Sequence, residues 1–592
     1  MIVEHKRFLY LMLAGATLLA AGLGLRDPWP PDDPRFALIA KDMVESGDWL
    51  IPRVGGVLYP DKPPLFFWLV GVFYALTESI RVAVLLPALL SGLGVLWLVH
   101  DLASRLWNPE TAMWCGVALL ATVQFPLQMK AGQIDGVLCF WTTLALYGLC
   151  RHLLLGPDWH WYAIAGLSSG LGVITKGVGF LPFFVFAPWV LALHRNWPMP
   201  GIRWSGGKWL LAPLAFALAI AIWLVPMLMV TSGAADPEFA QYRDDILLKQ
   251  TVTRYADAWS HVKPPWYLFT NAVPWLWLPL TLLLPWLIPR WARDLQARQA
   301  ATLLLGGWIL LVLLFFSMSD GKRSLYIFPA LPALALLAGR HLPAILARPW
   351  PRRLLLVLAS LLAALPLAIG IFMLADYPPL HASLDEPANP IALAWISIAT
   401  GLAATSVVGF CRPERAAAEG AARAFAGVMA ILWLSTSLLI YPRIDATRSG
   451  RAIIDSASAA LGPDSALAFA GWKEQLLLQW GKPAIHFGYR REDDDGESRD
   501  AASWLSGNET YRLLLPGELV GPCFDRSRLI ELGFAHRRDW FLASGRSVLP
   551  QCRNKESPTI MVLYHPLEGG DQSLRTARRD REKARVEATF LP

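Results

Sequence analysis

Charged side chains set against proline at the edges of apolar segments are the residues of this sequence best suited to chemistry. Asp32 and Arg35 lie in PDDPRF, Asp61 and Lys62 in YPDKPPL, Asp135 in KAGQIDGVLCFW, His261 in HVKPPWY, and Lys322, Arg323 and Tyr326 in KRSLYIFP. A charge at the lip of an apolar segment is costly unless it is compensated or used. The Pro63–Pro64 pair restricts the backbone on the Lys62 side to extended conformations and so fixes the direction of that ammonium. Lys62 then salt-bridges Asp61, meets membrane phosphate nonspecifically, or holds a phosphate whose long lipid tail stays in the bilayer. Arg35 offers a rigid multi-donor fork to an anion, or snorkels to headgroups. Asp32 is either an ordinary turn residue or a carboxylate facing a cavity at the membrane surface.

The elements that must position these groups are read from hydropathy. The chain has 592 residues, 55% hydrophobic and 17% charged, against roughly a quarter charged in soluble domains. Its mean hydropathy is +0.40. The apolar residues come in blocks near the ~20 residues that cross a bilayer, and many of the 28 Trp flank them as interface anchors do. These features describe an integral membrane protein. The expected spans are 8–25, 110–128, 134–151, 160–175, 177–193, 207–230, 266–289, 300–317, 324–341, 353–374, 388–410 and 421–441. The run 65–99 adds one net crossing, broken at Glu78 and Arg81, for about thirteen in all. The first block is read as a retained helix: it lacks a small-residue cleavage site, and many similar blocks follow.

Four basic loops, HRNWPMPGIRWSGGK, RWARDLQAR, GRHLPAILARPWPRR and CRPERAAAEGAAR, stay cytoplasmic under the positive-inside rule. Residues 26–64, 129–134, 175–177, 231–265, 318–323 and 375–387 then lie outside, as does everything after Tyr441, and Lys176 sits on that face between two apolar blocks. Lys322 and Arg323 break the charge rule on that face, which points to a local anion. The net charge of +7 lies largely in topology-setting loops, so no nucleic-acid partner is expected.

The first outer loop carries twelve charged side chains in 39 positions. Within it, DDPRFALIAKDMVESG reads as a short helix, with Asp33 as cap, Pro34 at the first helical position and Gly47 past the end. Phe36, Ile39, Ala40, Met43 and Val44 form an apolar stripe suited to the membrane surface. With Asp33 spent on the cap, Asp32 is left for another task. Two domains are expected, 1–441 in the membrane and 442–592 outside it. In the second, ALAFAGW, LLLQWG, YRLLLPG and PTIMVLYHP read as strands of a small α/β domain, REDDDGESRD as a solvated loop and the end from Arg575 as a solvated tail. Cys115, Cys139, Cys150 and Cys411 read as small core residues. Cys523 and Cys552 are the pair in the outer domain, where an oxidising compartment permits a disulfide.

In their order, and at one membrane depth, these motifs resemble those of bacterial GT-C glycosyltransferases of the protein O-mannosyltransferase-like superfamily. Within it they are most similar to the lipid A 4-amino-4-deoxy-L-arabinose transferase family. The resemblance covers nearly the whole chain. It implies a polytopic α-helical membrane protein of GT-C type with a small C-terminal periplasmic α/β domain, in a bacterial inner membrane. It also implies transfer of a sugar from undecaprenyl phosphate to lipid A or another periplasmic acceptor, with inversion and no nucleotide cofactor. By motif, Asp32 matches the family's first-loop aspartate, Arg35 its nearby arginine, Asp61 and Lys62 the acid and lysine of its Glu-Lys-Pro-Pro element, and Asp135 its second acid. His261 resembles the loop histidine that shares a divalent ion, Zn or Mg, with the acid of that element, and Tyr326 the tyrosine of its basic loop. Asp61 is one methylene shorter than the usual Glu, and KRSLYIFP lacks the family's proline before the tyrosine.

A lipid-sugar transporter is the first rival reading; it would place its charges nearer the membrane midplane. A noncatalytic scaffold gives no reason for the first-loop acids or the Lys–Pro–Pro clamp.

Overall fold

In the computed structural model, which describes residues 2–202, 206–233, 237–248, 262–377, 390–411, 417–462, 465–489, 491, 493–553, 558–564 and 566, all of the expected apolar blocks are wholly or partly helical. Among the described residues, seven helices are long and apolar enough to cross a membrane: Ile80–Leu106, Ile134–Leu154, Gly207–Gly233, Ala300–Met318, Pro349–Leu374, Pro390–Phe410 and Ala418–Ser449. The pair Leu268–Leu276 and Leu280–Gln296, bent by 104°, would make an eighth. The count falls below thirteen because several apolar blocks form short helices. Leu65–Thr77, Leu181–His194 and Ser324–Gly339 are such cases, roughly 20–25 Å long at 1.5 Å per residue against a core of about 30 Å. The run 65–99 resolves into one shorter helix and one crossing helix, separated where Glu78 adopts a left-handed φ of 53°. The chain is a multi-span helical membrane protein.

Three helices of the bundle frame the candidate site. They are α1 (Ile2–Ala20), α4 (Ile134–Leu154) and α5 (Trp159–Lys176). Between α1 and the first crossing helix lie α2 (Asp33–Ser46), the hairpin β1 (Arg53–Val54) and β2 (Val57–Leu58), and α3 (Leu65–Thr77). α2 forms where expected, with Pro34 at its start and Gly47 ending it at φ 72°. Asp33 does not cap it. Its carboxylate turns inward to Arg26 at 2.9 Å, while Asp32 stands at the N-cap position and makes no side-chain cap bond. Nor does α2 merely lie on a surface: Phe36, Ala37, Leu38, Ile39, Ala40 and Met43 are all buried.

The cover of α2 comes from the C-terminal region. The last membrane helix runs on to Ser449, past the boundary expected at 441/442. Beyond it stands a six-stranded sheet of order β6-β7-β5-β3-β4-β8, where β3 is Ala466–Phe469, β4 Ala484–His486, β5 Tyr511–Pro516, β6 Ile530–Ala535, β7 Arg538–Ser544 and β8 Val562–Tyr564. β3 pairs in parallel with β4 and β5, and the outer strands are antiparallel. Two of the expected assignments change. LLLQWG is not a strand but most of α6 (Glu474–Trp480), closed by Gly481 at φ 62°; a short apolar run has no period long enough to separate the two. REDDDGESRD is not a loop: Asp493 caps a helix, Asp494–Leu505, and accepts a bond from the Gly496 N–H. Its Asp500 is buried against Arg491 at 2.7 Å. Cys523 and Cys552 form a disulfide with Cα atoms 5.4 Å apart, while Cys115, Cys139 and Cys150 are buried free thiols and Cys411 is half-buried. The end from Arg575 lies outside the described residues.

One apolar core joins the first loop to the sheet. Phe36, Ile39, Tyr59, Phe66 and Phe67 belong to the same buried cluster as Ile453, Leu476, Leu514, Trp540 and Tyr564.

Candidate functional site

The site begins at the head of α2. Asp32 meets two guanidiniums, Arg35 at 3.7 Å and Arg323 at 3.5 Å. Arg35, three residues on, points across to α6, where its Nε donates to Glu474 at 2.6 Å. Burial works against the Arg35 charge, but Glu474 beside it outweighs that and holds the guanidinium more firmly protonated than usual. Arg35 therefore spans two acids. Glu474 was not singled out in the sequence: it lies 439 residues from Arg35, and only the fold brings α6 onto α2.

A second cluster sits at the head of α4. The Asp135 carboxylate takes the Lys176 ammonium at 2.5 Å, with both side chains largely buried. Lys176, at the last turn of α5, also lies over the Tyr326 ring, 5.4 Å from its centroid. Lys176 was visible in the sequence as a lone charge between apolar blocks, and Asp135 supplies its reason.

One short turn connects the clusters. Residues Ser324–Ala330 form a 3-10 helix, in which the Tyr326 N–H bonds the Arg323 carbonyl at 3.0 Å. Arg323 leaves its start toward Asp32, and Tyr326, one turn later, sits under Lys176. The neighbouring loop is tied down: Lys263 N–H donates to Asp320 O at 3.1 Å, Val262 bridges Gly321, and the Tyr267 hydroxyl meets Ser324 Oγ at 3.1 Å. Lys322, expected beside a ligand anion, is buried and donates to the carbonyls of Lys263, at 2.8 Å, and Ser319. Its ammonium holds the loop from which Arg323 extends.

Asp61 and Lys62 follow the β1–β2 hairpin and lead into α3. Asp61 is buried, and the Lys62 ammonium donates to its carbonyl at 2.8 Å. Tyr59, just before them, packs on Phe67 and on Tyr489 of the sheet domain, with ring centroids 6.0 and 6.4 Å apart. His261 lies outside the described residues. Among those described, no group of three or more His, Cys, Asp and Glu side chains gathers to hold an ion. The chemistry legible in the arrangement is that of paired acids and cations, supported by buried aromatics at one end of a helical bundle.

The first loop is also pinned to the sheet domain. Arg451 grips Asp27 at 2.8 Å, joined by Arg81 of the first crossing helix at 2.6 Å; burial raises its carboxyl, but the two arginines prevail and hold it below the ordinary range. The Gly55 carbonyl meets His486 Nε2 at 2.9 Å. Asp42 accepts from the Tyr564 hydroxyl at 3.0 Å and from the Gly55 N–H at 3.2 Å.

Residues 61–227 match the family model for dolichyl-phosphate-mannose-protein mannosyltransferases. Over 424 residues, 69% of this chain and 72% of the relative, the sequence is 31% identical to undecaprenyl phosphate-α-4-amino-4-deoxy-L-arabinose arabinosyl transferase 2 of Pseudomonas fluorescens (strain Pf0-1). It is 30% identical to the corresponding transferase of Enterobacter sp. (strain 638) over 59% of this chain and 61% of that one. The fold is similar to that of ArnT from Cupriavidus metallidurans bound to undecaprenyl phosphate, with a TM-score of 0.70 at 22% identity, covering 90% of this chain and 97% of that one.

Proposed function

The chain belongs to the undecaprenyl phosphate-α-4-amino-4-deoxy-L-arabinose arabinosyl transferase family of polyprenyl-phosphate-dependent glycosyltransferases, and from that premise we propose that it transfers 4-amino-4-deoxy-L-arabinose from undecaprenyl phosphate to lipid A at the periplasmic face of a bacterial inner membrane. The observation that carries the reading is the convergence of Asp32, Arg35 and Arg323 with Asp135, Lys176 and Tyr326 around a single turn. A lipid-borne donor would keep its tail among the helices and bring its phosphate to this end.

As the bond from the anomeric carbon to the phosphate oxygen breaks, the carbon becomes cation-like and negative charge grows on the phosphate. Lys62, Arg35 and Arg323 stabilise that charge, and they do so effectively because they are placed before it develops. Lys322 contributes by holding the loop that presents Arg323. The acceptor oxygen enters opposite the departing phosphate, which inverts the anomeric centre. With a hydroxyl acceptor, Asp32 takes the proton, for which it needs hydrogen-bond reach to the incoming oxygen. With a lipid A phosphate, already anionic, no proton need be removed, and Asp32 and Asp135 receive the sugar's ammonium. A divalent ion would require Asp61 together with His261, and no step above depends on one; full activity after verified metal removal would exclude an essential ion.

The test incubates purified protein with radiolabelled undecaprenyl phosphate sugars and either lipid A or total envelope glycans, with products identified by mass. Lipid A should gain one aminopentose; label on a different glycan or on protein would reassign the acceptor. Asp32→Asn should abolish transfer in folded protein, and Lys62→Ala should lower it about thirtyfold to a thousandfold, through loss of about 2–4 kcal/mol of transition-state stabilisation. Near-normal turnover in both would refute the site.

A further inference from the structure

We propose that the buried contact Arg26–Asp33–Gly132 sets the positions of Asp32 and Asp135 relative to each other, which makes Asp33 a positioning residue of the transfer site. The inference rests on reading Asp32 and Asp135 as site acids. Asp33 directly follows Asp32, so the placement of one carboxylate governs the other. It is 5% exposed, takes the Arg26 Nη2 at 2.9 Å, and lies directly against Gly132. Gly132 stands three residues before Asp135, in the turn whose Gln133 begins α4. The approach is close: a Cβ on Gly132 would lie 2.7 Å from Val84 Cγ2 and 3.2 Å from Asp33 Cγ. A side chain at this position would have to displace Val84 and press on Asp33.

Arg26 is itself immobilised. Its guanidinium lies 5.0 Å from the Trp29 ring and 5.9 Å from that of Tyr441, and donates to the carbonyls of Asp27 at 3.1 Å and Lys130 at 3.4 Å. Lys130 in turn donates to the carbonyls of Leu18, Leu19 and Ala21, where α1 ends and its last carbonyls lack helical partners. The head of α4 is thus registered against the end of α1 and the start of α2 at once. Stability alone gives little reason for such a pair, since a buried ion pair rarely outperforms packed apolar residues. What a carboxylate adds is a hold on the Arg26 guanidinium, which donates to Asp33 on one loop and to the Lys130 carbonyl on the other.

The experiment uses the full-length protein in detergent and compares kcat, donor KM and melting for Asp33→Asn, Gly132→Ala, Gly132→Ala/Val84→Ala and Asp500→Asn. The last breaks a pair of comparable burial, to Arg491, in the sheet domain. Asp33→Asn and Gly132→Ala should each lower kcat about a hundredfold, the scale of a 1 Å misplacement, with donor KM changed by less than about threefold. Val84→Ala, by making room, should recover at least about tenfold of the Gly132→Ala loss. Asp500→Asn should lower the melting temperature while leaving turnover per folded molecule unchanged. If Asp33→Asn and Gly132→Ala turn over normally while Asp32→Asn is inactive, the site stands and the positioning role is refuted. The role is equally refuted if Asp500→Asn loses turnover as Asp33→Asn does, for the contact is then only structural. An active Asp32→Asn would remove the site reading and this inference with it.

Discussion

Arg35 divides its guanidinium between Asp32 and Glu474, so the acid on the sheet domain governs how freely the arginine can turn to a phosphate. Glu474→Gln keeps a hydrogen-bond acceptor and removes the charge. Without that charge the guanidinium is no longer held in place, and misplacement of such a group costs up to about a hundredfold. The expected fall in kcat is therefore roughly tenfold to a hundredfold, and melting should fall with the loss of a partly buried ion pair. Unchanged turnover would make Glu474 a fold contact alone. At this scale the sequence was informative wherever a charge had no cheaper explanation: Asp32, Asp135 and Lys176 stood out against apolar neighbours. Lys322 stood out for the same reason, yet its ammonium serves backbone carbonyls of its own loop and of the neighbouring one. An isolated charge signals that it has a partner, and nothing in its spacing says whether the partner is substrate or carbonyl. Glu474 gave no signal because an acid at the start of an amphipathic helix is ordinary.

The helix α2 was legible to its last residue because proline and glycine punctuate it; its cap was not, since two adjacent aspartates are interchangeable in sequence and only packing turns one inward. That packing has a pH signature. On the same helix Asp42 is pushed up to about 7 by burial, with the Tyr564 hydroxyl and Gly55 N–H bonded to it and Lys41 and Glu45 beside it. A carboxyl raised in the fold binds its proton more tightly there than in the unfolded chain, so its contribution is present in full below about pH 4 and is lost as pH rises through 7. Docking of β8 and the hairpin on α2 should therefore loosen between about pH 4 and 7. Amide exchange at Gly55 and along β8 should quicken over that interval in the native protein and lose its pH dependence, beyond that of intrinsic exchange, in Asp42→Asn. An identical profile in both would assign the change to another group. The misread α6 belongs at this scale too: six apolar-rich residues fit either period, and the glycine that ends them fits a strand turn as well as a helix cap.

For the whole molecule, hydropathy located the apolar blocks, whereas which of them span, and what covers the first loop, depend on contacts between distant segments. The decisive contact is the seat of the β1–β2 hairpin on the sheet domain. Gly55 turns there at φ 58°, and a Cβ on it would lie 2.5 Å from Trp472 Cη2; its carbonyl meets His486, which burial holds neutral by lowering its pKa to about 4. Gly55→Ala must push the indole aside and adopt a backbone unfavourable to alanine, at a cost of about 1–3 kcal/mol from overpacking alone. Because α6 follows Trp472 within two residues, the displacement carries Glu474 away from Arg35. Gly55→Ala should then reproduce the kinetic loss of Glu474→Gln without touching any charged residue, and the two changes combined should lose little more than either alone. Replacing Trp472 by Phe in the Gly55→Ala protein frees the space and should restore part of the turnover. Fully additive losses, or no rescue by Phe, would show that the hairpin and the arginine act separately, and that the sheet domain stabilises the first loop without tuning its chemistry.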